Sequence, residues 1–254
     1  MKEIKKLEVV KDSITIILTG YKRDNFVEQI NAIKNQTIYD KIKDIFLWQN
    51  EDNIDLNKYR KEYGIKIFHS KDVNFKFHGR FSLPLILWET EYIAIFDDDT
   101  IPGNRWLENC LQLSKEKNCI VGANGRTVNN KTIEEVFDHT ISYNAPIEES
   151  TKVDFVGHCW FFKQEWCKYL WYEKPYTFDN GEDIHFSSAC YRHGKIDSYI
   201  AKQPYNDRSL WGDCNIHLGS DEHATWKKSD HGPIRGKIIK YWMEQYNWKP
   251  INYR

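Results

Sequence analysis

Short apolar runs alternate along the chain with polar loops and amphipathic stretches, and their order predicts an α/β fold. Ser13 to Thr19 (SITIILT) is a β-branched apolar run ending at Gly20, the pattern of a buried strand. Between Asn25 and Asn35, Phe26, Val27, Ile30 and Ile33 recur at helical spacing. Ile42 to Trp48 (IKDIFLW) predicts a second strand that runs into the polar turn 49–53, and Ile65 to His69 a short third. Gly79 to Thr90 reads as a helix leading into the strand Tyr92 to Phe96.

The second half is more mixed. It predicts a helix from Trp106 to Lys117, a strand from Cys119 to Gly122, a strand pair around Val128 and Phe137, and a strand from Val153 to Phe162. A helix from Asp183 to His193 follows, and the stretch from Lys228 to Trp242 begins as a polar loop and ends as a basic amphipathic helix. No repeat, low-complexity block or linker interrupts residues 1–254, so a single domain is expected. Strands alternating with helices imply a mostly parallel central sheet covered by helices, Rossmann-like in its layering, with ligand loops at the carboxyl ends of the strands. Thr19 to Arg23, Asn50 to Asn53 and Asp97 to Asp99 fall at such ends.

Composition narrows the function classes. With 41% hydrophobic and 29% charged residues, and only 13 Gly and 7 Pro in 254, the chain has the makings of a packed core rather than long disordered tracts. A net charge of −1 gives no broad basic field, which disfavours a nucleic acid polymer as partner. The aromatic share of 15% supplies ring faces for bases and sugars as well as for the core. Cys110, Cys119, Cys159, Cys167, Cys190 and Cys214 form no C-x-x-C pair, so zinc-ribbon and thioredoxin-like readings lack their spacing and reduced thiols are expected. The apolar run Ile14 to Leu18 is too short for a signal-peptide core or a spanning helix, and no later run is longer. A cytoplasmic protein is expected, with membrane contact only at its periphery.

The chemistry concentrates at Asp97-Asp98-Asp99, directly after the apolar strand. Three adjacent carboxylates repel one another unless a cation or a network of donors sits among them. Carboxylate oxygens suit Mg²⁺ or Mn²⁺, which commonly bridge protein carboxylates and phosphate oxygens. A solvated acidic turn is the bland alternative. A second acidic pair, Glu182-Asp183, opens the predicted helix, where the macrodipole favours carboxylates, so simple capping competes with a role as general base. Trp160 is either a sugar-stacking ring or a core residue.

The run IAIFDDDTIPGNRWLENC resembles the D-x-D segment of GT-A fold glycosyltransferases, those of family 2 and the exostosin-like enzymes in particular. The opening ILTGYKRDNFVEQINAIKNQT is similar to their first strand, nucleotide loop and helix, and NGEDIHF to the E-D motif of family 2. The resemblance implies a GT-A type fold in which residues 1–100 bind a nucleotide sugar and residues 101–254 bind the acceptor. It implies transfer of a sugar, from a UDP-sugar by family habit, to a hydroxyl of a glycan or glycolipid with help from Mn²⁺ or Mg²⁺. By the same resemblance Thr19, Tyr21 and Arg23 line the base and phosphate pocket, Asn50 and Asp52 lie beside the nucleobase or ribose, and Arg80 pairs with a phosphate. Asp97 would contact the ribose and share the metal, Asp98 would lie nearby, and Asp99 would be the main metal ligand. Asp183 would act as base and Glu182 would orient a sugar. Lys228, His231 and Arg235 flank a Gly-Pro step and would close over the diphosphate, with His231 as a further metal ligand. Family 2 enzymes invert the anomeric carbon and exostosin-like enzymes retain it; the acidic pair fits inversion by direct displacement.

Three other readings are weighed. A phosphatase of the haloacid dehalogenase class would carry its D-x-D on the opening strand, which this chain does not. A sugar-1-phosphate nucleotidyltransferase would want a Gly-rich loop after the first strand, whereas ILTGYKRDN holds one Gly. A non-catalytic carbohydrate-binding module would not need two acidic motifs.

Overall fold

The computed structural model describes residues 7–24, 26–52, 55–129, 139–141, 146–213 and 224–254. The expected helix start at Asn25, the turn residue Asn53, Phe137 and Cys214 lie outside the described residues. Strand β1 (Val10–Gly20) takes the centre of the first half-sheet, with β2 (Ile42–Asn50) and β4 (Thr90–Phe96) parallel on either side and β3 (Lys66–Ser70) outside β2. Helix α1 (Phe26–Lys34) crosses from β1 to β2, and α2 (Asn57–Tyr63) from β2 to β3. The chain therefore winds outward from β1 to β3 and then returns to the other flank of β1 as β4. That reversal opens a crevice beyond the carboxyl ends of β1 and β4.

Helix α3 (Trp106–Lys117) leads to β5 (Ile120–Thr127), which pairs with β6 (His139–Ile141). β7 (Thr151–Val153) and β8 (Phe155–Lys163) come next, then α4 (Glu182–Gly194), β9 (Ser198–Ile200) and α5 (His231–Tyr246). Among the described residues the strands form one nine-stranded mixed sheet, β3-β2-β1-β4-β8-β5-β9-β7 with β6 beside β5. β1 to β5 and β9 run one way and β6, β7 and β8 run against them, so the fold is α/β with a mostly parallel, mixed sheet flanked by helices. No described helix is long and apolar enough to cross a membrane.

The side-chain alternation of β1 explains why its apolar run is unbroken. Ile14, Ile16 and Leu18 pack with Phe26, Ile30 and Ile33 of α1 and Trp106 and Leu107 of α3. Ile17 faces the opposite layer, where Ile93, Ile95, Trp160 and Phe162 meet Phe186 of α4 and the 3-10 run Gln164–Trp171. Each such fully buried side chain contributes roughly 1.5–3 kcal/mol. A third cluster, with Ile184 on α4 and Ile238, Ile239 and Trp242 on α5, fastens the last helix onto α4.

Several expectations are corrected. Two 3-10 turns, Gly79–Phe81 and Leu83–Ile86, stand where one helix from Gly79 to Thr90 is expected, because Pro84 has no N–H and its ring would collide with the carbonyl of Arg80. The expected strand from Val153 to Phe162 is split between β7 and β8, broken at Asp154, whose carboxylate accepts hydrogen bonds from the Val128 and Ile251 amides. The Gly232-Pro233 step does not break the chain: Pro233 falls in the first turn of α5, where a missing N–H costs nothing.

Candidate functional site

The crevice at the carboxyl ends of β1 and β4 widens into a cleft of about 1030 Å³. Thr19, Tyr21, Arg23, Asn50, Arg80, Asp97, Asp98, Asp99, Glu182, Asp183 and His231 all line it, drawn together from distant parts of the chain. Asp52 does not: Glu51 adopts a left-handed backbone (φ 64°), its amide bonds to the Ser70 carbonyl, and Asp52 is turned out to the surface near His69. Ligand pockets typically span ~300–1,000 Å³, so the cleft stands at the upper end of that range.

The acidic triplet is held largely by arginines. Arg80, buried, donates to Asp97 Oδ1, and its Nη2 lies 2.9 Å from Glu182 Oε1 and its Nη1 3.3 Å from Thr19 Oγ1. Its guanidinium also lies 4.6 Å above the Trp160 ring, so that face carries Arg80 rather than standing open to a sugar. Arg80 thus bridges the two acidic motifs while lining the cleft. Arg23 Nη1 sits 2.5 Å from Asp98 Oδ1. Gln29 on α1 ties down the turn by donating to the carbonyls of Asp97 and Thr100. Asp99 has no hydrogen-bonded or ion-paired partner among the described residues.

Negative charge remains in excess there. Burial, with repulsion from Asp99 and Asp97, pushes Asp98 up to about 7 in spite of Arg23. Burial also raises Asp97, against the pull of Arg80. Among the described residues no group of three or more His, Cys, Asp or Glu side chains is gathered to hold a metal ion alone. In donor chemistry a pair of carboxylates suits a hard divalent cation that takes its remaining ligands from phosphate oxygens and water. The expected third ligand, His231, is not gathered with Asp97 and Asp99 into such a group; its Nδ1 lies 3.3 Å from Asn180 Nδ2.

Glu182 and Asp183 form the first turn of α4. Gly181 before them has φ 81°, and a Cβ there would meet Ile238 Cδ1 at 2.6 Å, so only glycine lets the chain enter the helix at this angle. Asp183 Oδ1 accepts from its neighbour's amide, Ile184 N, at 2.8 Å, and Oδ2 lies 2.5 Å from Arg235 Nη2. Arg235 Nη1 also donates to Asn180 Oδ1 at 3.1 Å, and Asn180 Nδ2 is 3.3 Å from His231 Nδ1. The two acids are driven apart. Burial and Asp183 raise Glu182 to about 7. Burial acts upward on Asp183 too, but Arg235 and the Ile184 amide outweigh it and hold Asp183 below its ordinary range.

Some lining residues carry no sequence motif. Asn124 and Arg126, alternating at the end of β5, face the cleft, and Gly157 and His158 on β8 complete its floor. A Cβ on Gly157 would lie 3.2 Å from Asn124 Oδ1 and 3.9 Å from Asp183 Oδ2. His158 holds a left-handed backbone (φ 65°) beside the triplet, with its carbonyl bonded to the Asp97 amide at 3.0 Å. Such a conformation is uncommon outside glycine and clusters at functional sites. The polar alternation of Asn124 and Arg126 after Ile120-Val121 is the signal that could have found them.

Compared with known proteins, the chain matches no protein-family model and no curated sequence.

Proposed function

We propose that this chain is a GT-A type glycosyltransferase that moves a sugar from a nucleotide sugar, with UDP as the expected carrier, to a hydroxyl of a glycan or glycolipid. The observation that carries the reading is the Arg80 bridge, which holds Asp97 of the triplet and Glu182 of the second acidic pair on one wall of one cleft. A binding module needs no such pairing. A phosphatase would need its nucleophilic aspartate on the opening strand, whereas the triplet follows β4.

Asp99 and Asp97 would hold Mn²⁺ or Mg²⁺ together with the donor's diphosphate; when bound, the cation neutralises charge on the leaving diphosphate. Arg23, which lines the cleft paired with Asp98, would meet a phosphate of the donor. Asp183 serves as the base. It is ionised well below neutral pH, is oriented by Arg235, and can accept the acceptor's hydroxyl proton as that oxygen attacks the anomeric carbon and the nucleoside diphosphate departs. Glu182, fixed by Arg80, orients the sugar. Direct displacement with inversion follows from one in-line base.

The test is release of nucleoside diphosphate from a panel of nucleotide sugars, with and without Mn²⁺. Asp99→Ala, at a partly exposed position, should fold normally and lose the metal-dependent release. Unchanged release in that variant would sink the metal role, and no release from any nucleotide sugar by the wild type would sink the function.

A further inference from the structure

The side chains behind Asp183 form a hydrogen-bonded chain whose proton positions follow from donor and acceptor chemistry. Arg235 Nη2 meets Asp183 Oδ2 at 2.5 Å, and Arg235 Nη1 meets Asn180 Oδ1 at 3.1 Å. A guanidinium has only N–H donors, so the buried Asn180 must turn its carbonyl oxygen to Arg235. The NH₂ of the same amide then faces His231 Nδ1, 3.3 Å away. Turning the amide over would set donor against donor at Arg235. His231 Nδ1 is therefore an acceptor, and the one proton of the neutral ring sits on Nε2. Burial, and then the charge of Arg235, hold His231 down at about 4, which keeps the ring neutral near pH 7.

His231 lines the cleft together with Asn180, Asp183 and Arg235. Its Nε2–H has no hydrogen-bond partner among the described residues and is not shut off from solvent, so it is a donor left over for a ligand. Metal ligation through Nε2 would move the proton to Nδ1, against the Asn180 NH₂, so the same lock opposes a metal-ligand role. We propose that His231 is a specificity-determining residue: its Nε2–H donates to a hydroxyl oxygen of a saccharide lying against Asp183, and Asn180 and Arg235 are the positioning residues that fix this tautomer. A sugar with adjacent hydroxyls suits both groups at once, one hydroxyl giving its proton to Asp183 and its neighbour accepting from His231. That the saccharide is the acceptor rests on the transferase reading; the tautomer does not.

Proton–nitrogen NMR of the histidine rings in the full chain, with the His231 signals identified by their loss in His231→Gln, reads the tautomer. Near pH 7 the wild type should show a protonated Nε2 and a bare Nδ1, and should keep both when UDP and Mg²⁺ are added. Asn180→Asp offers acceptors only, so there Nδ1 should carry a proton; the wild-type spectrum decides the tautomer should that variant not fold. Of a panel of methyl glycosides added to the chain with UDP and Mg²⁺, at least one should shift the Nε2–H signal, whereas methoxytetrahydropyran, the same ring without hydroxyls, should not. His231→Gln, whose amide N–H stands in for Nε2–H, should bind that glycoside about as well as wild type, and His231→Ala about fivefold or more weakly. The proposal falls if wild-type Nδ1 carries a proton, if UDP and Mg²⁺ strip the proton from Nε2, if folded Asn180→Asp leaves Nδ1 bare, if no glycoside moves the Nε2–H signal, or if His231→Ala binds the glycoside like wild type. If UDP does not bind the wild type while a glycoside still shifts Nε2–H, the transferase reading fails and the saccharide site stands.

Discussion

Arg80 Nη2 lies 2.9 Å from Glu182 Oε1, an ion pair between residues 102 positions apart that joins the turn before β4 to the first turn of α4. The same guanidinium holds Asp97, so one buried cation compensates two acids. Arg80→Gln should therefore destabilise the chain by roughly 3–5 kcal/mol, because it strands two carboxylates in the cleft wall. The double variant Arg80→Gln/Glu182→Gln should recover part of that loss. Urea unfolding of the wild type, Arg80→Gln, Glu182→Gln and the double variant checks the coupling; strict additivity of the two changes would refute it.

How far the sequence foretold this structure depends on the range of the forces involved. Strands β1 and β4 announce themselves because both faces are buried along their apolar runs, β2 does so over its second half, Ile45 to Trp48, and α3 spans Trp106–Lys117 as its periodicity predicts. Helix α2 (NKYRKEY) buries only Tyr59 and leaves no periodic signal, while β7 and β9 are three residues each and exist through pairing with one another and with β5. The triplet and the acidic pair were legible as local motifs. Their link through Arg80 was not, nor was the contact of Arg235 with Asp183, since both depend on strand pairing and on the return of α5. Asp52 was misplaced because the left-handed turn at Glu51 has no glycine to mark it.

Two glycines on neighbouring strands should respond oppositely to alanine. A Cβ on Gly122 would sit 2.3 Å from Val156 Cβ in the core, so Gly122→Ala should cost roughly 1–3 kcal/mol of stability. Gly157→Ala meets only Asn124 and Asp183 at the cleft floor. Its melting temperature should stay close to wild type while release of nucleoside diphosphate falls about tenfold or more, because the new methyl occupies space beside Asp183, the proposed base. A destabilised Gly157→Ala with normal turnover would contradict this account of the floor.

His185 is fully enclosed and stacks on Trp242 at 4.3 Å, with no hydrogen bond to either ring nitrogen among the described residues. Burial pushes it down to about 2, with nearby His78 and Arg192 adding to the shift. A histidine held neutral in the fold but free to protonate when unfolded gives stability that is present above about pH 6.5 and lost as pH falls, by about 1.4 kcal/mol per pH unit. His185→Phe keeps the stack and removes the titration. Thermal melts should match wild type near pH 8 and show a shallower decline between pH 6 and pH 5.

Glu182 works in the opposite direction. Its folded value, raised to about 7 by burial and by Asp183, lies above the unfolded one, so its contribution is fully present below about pH 4.5 and lost as pH rises through 7. Glu182→Gln cannot ionise and should lack that loss. Subtracting wild-type from variant melting temperatures across pH 4 to 9 cancels the histidines, which both proteins share. The difference should climb in the variant's favour between about pH 5 and pH 7 and level off above it. Mn²⁺ with UDP should shrink the climb, since a cation at Asp97 and Asp99 offsets the charge that makes an ionised Glu182 costly. A flat difference curve would mean that Arg80 alone already neutralises Glu182.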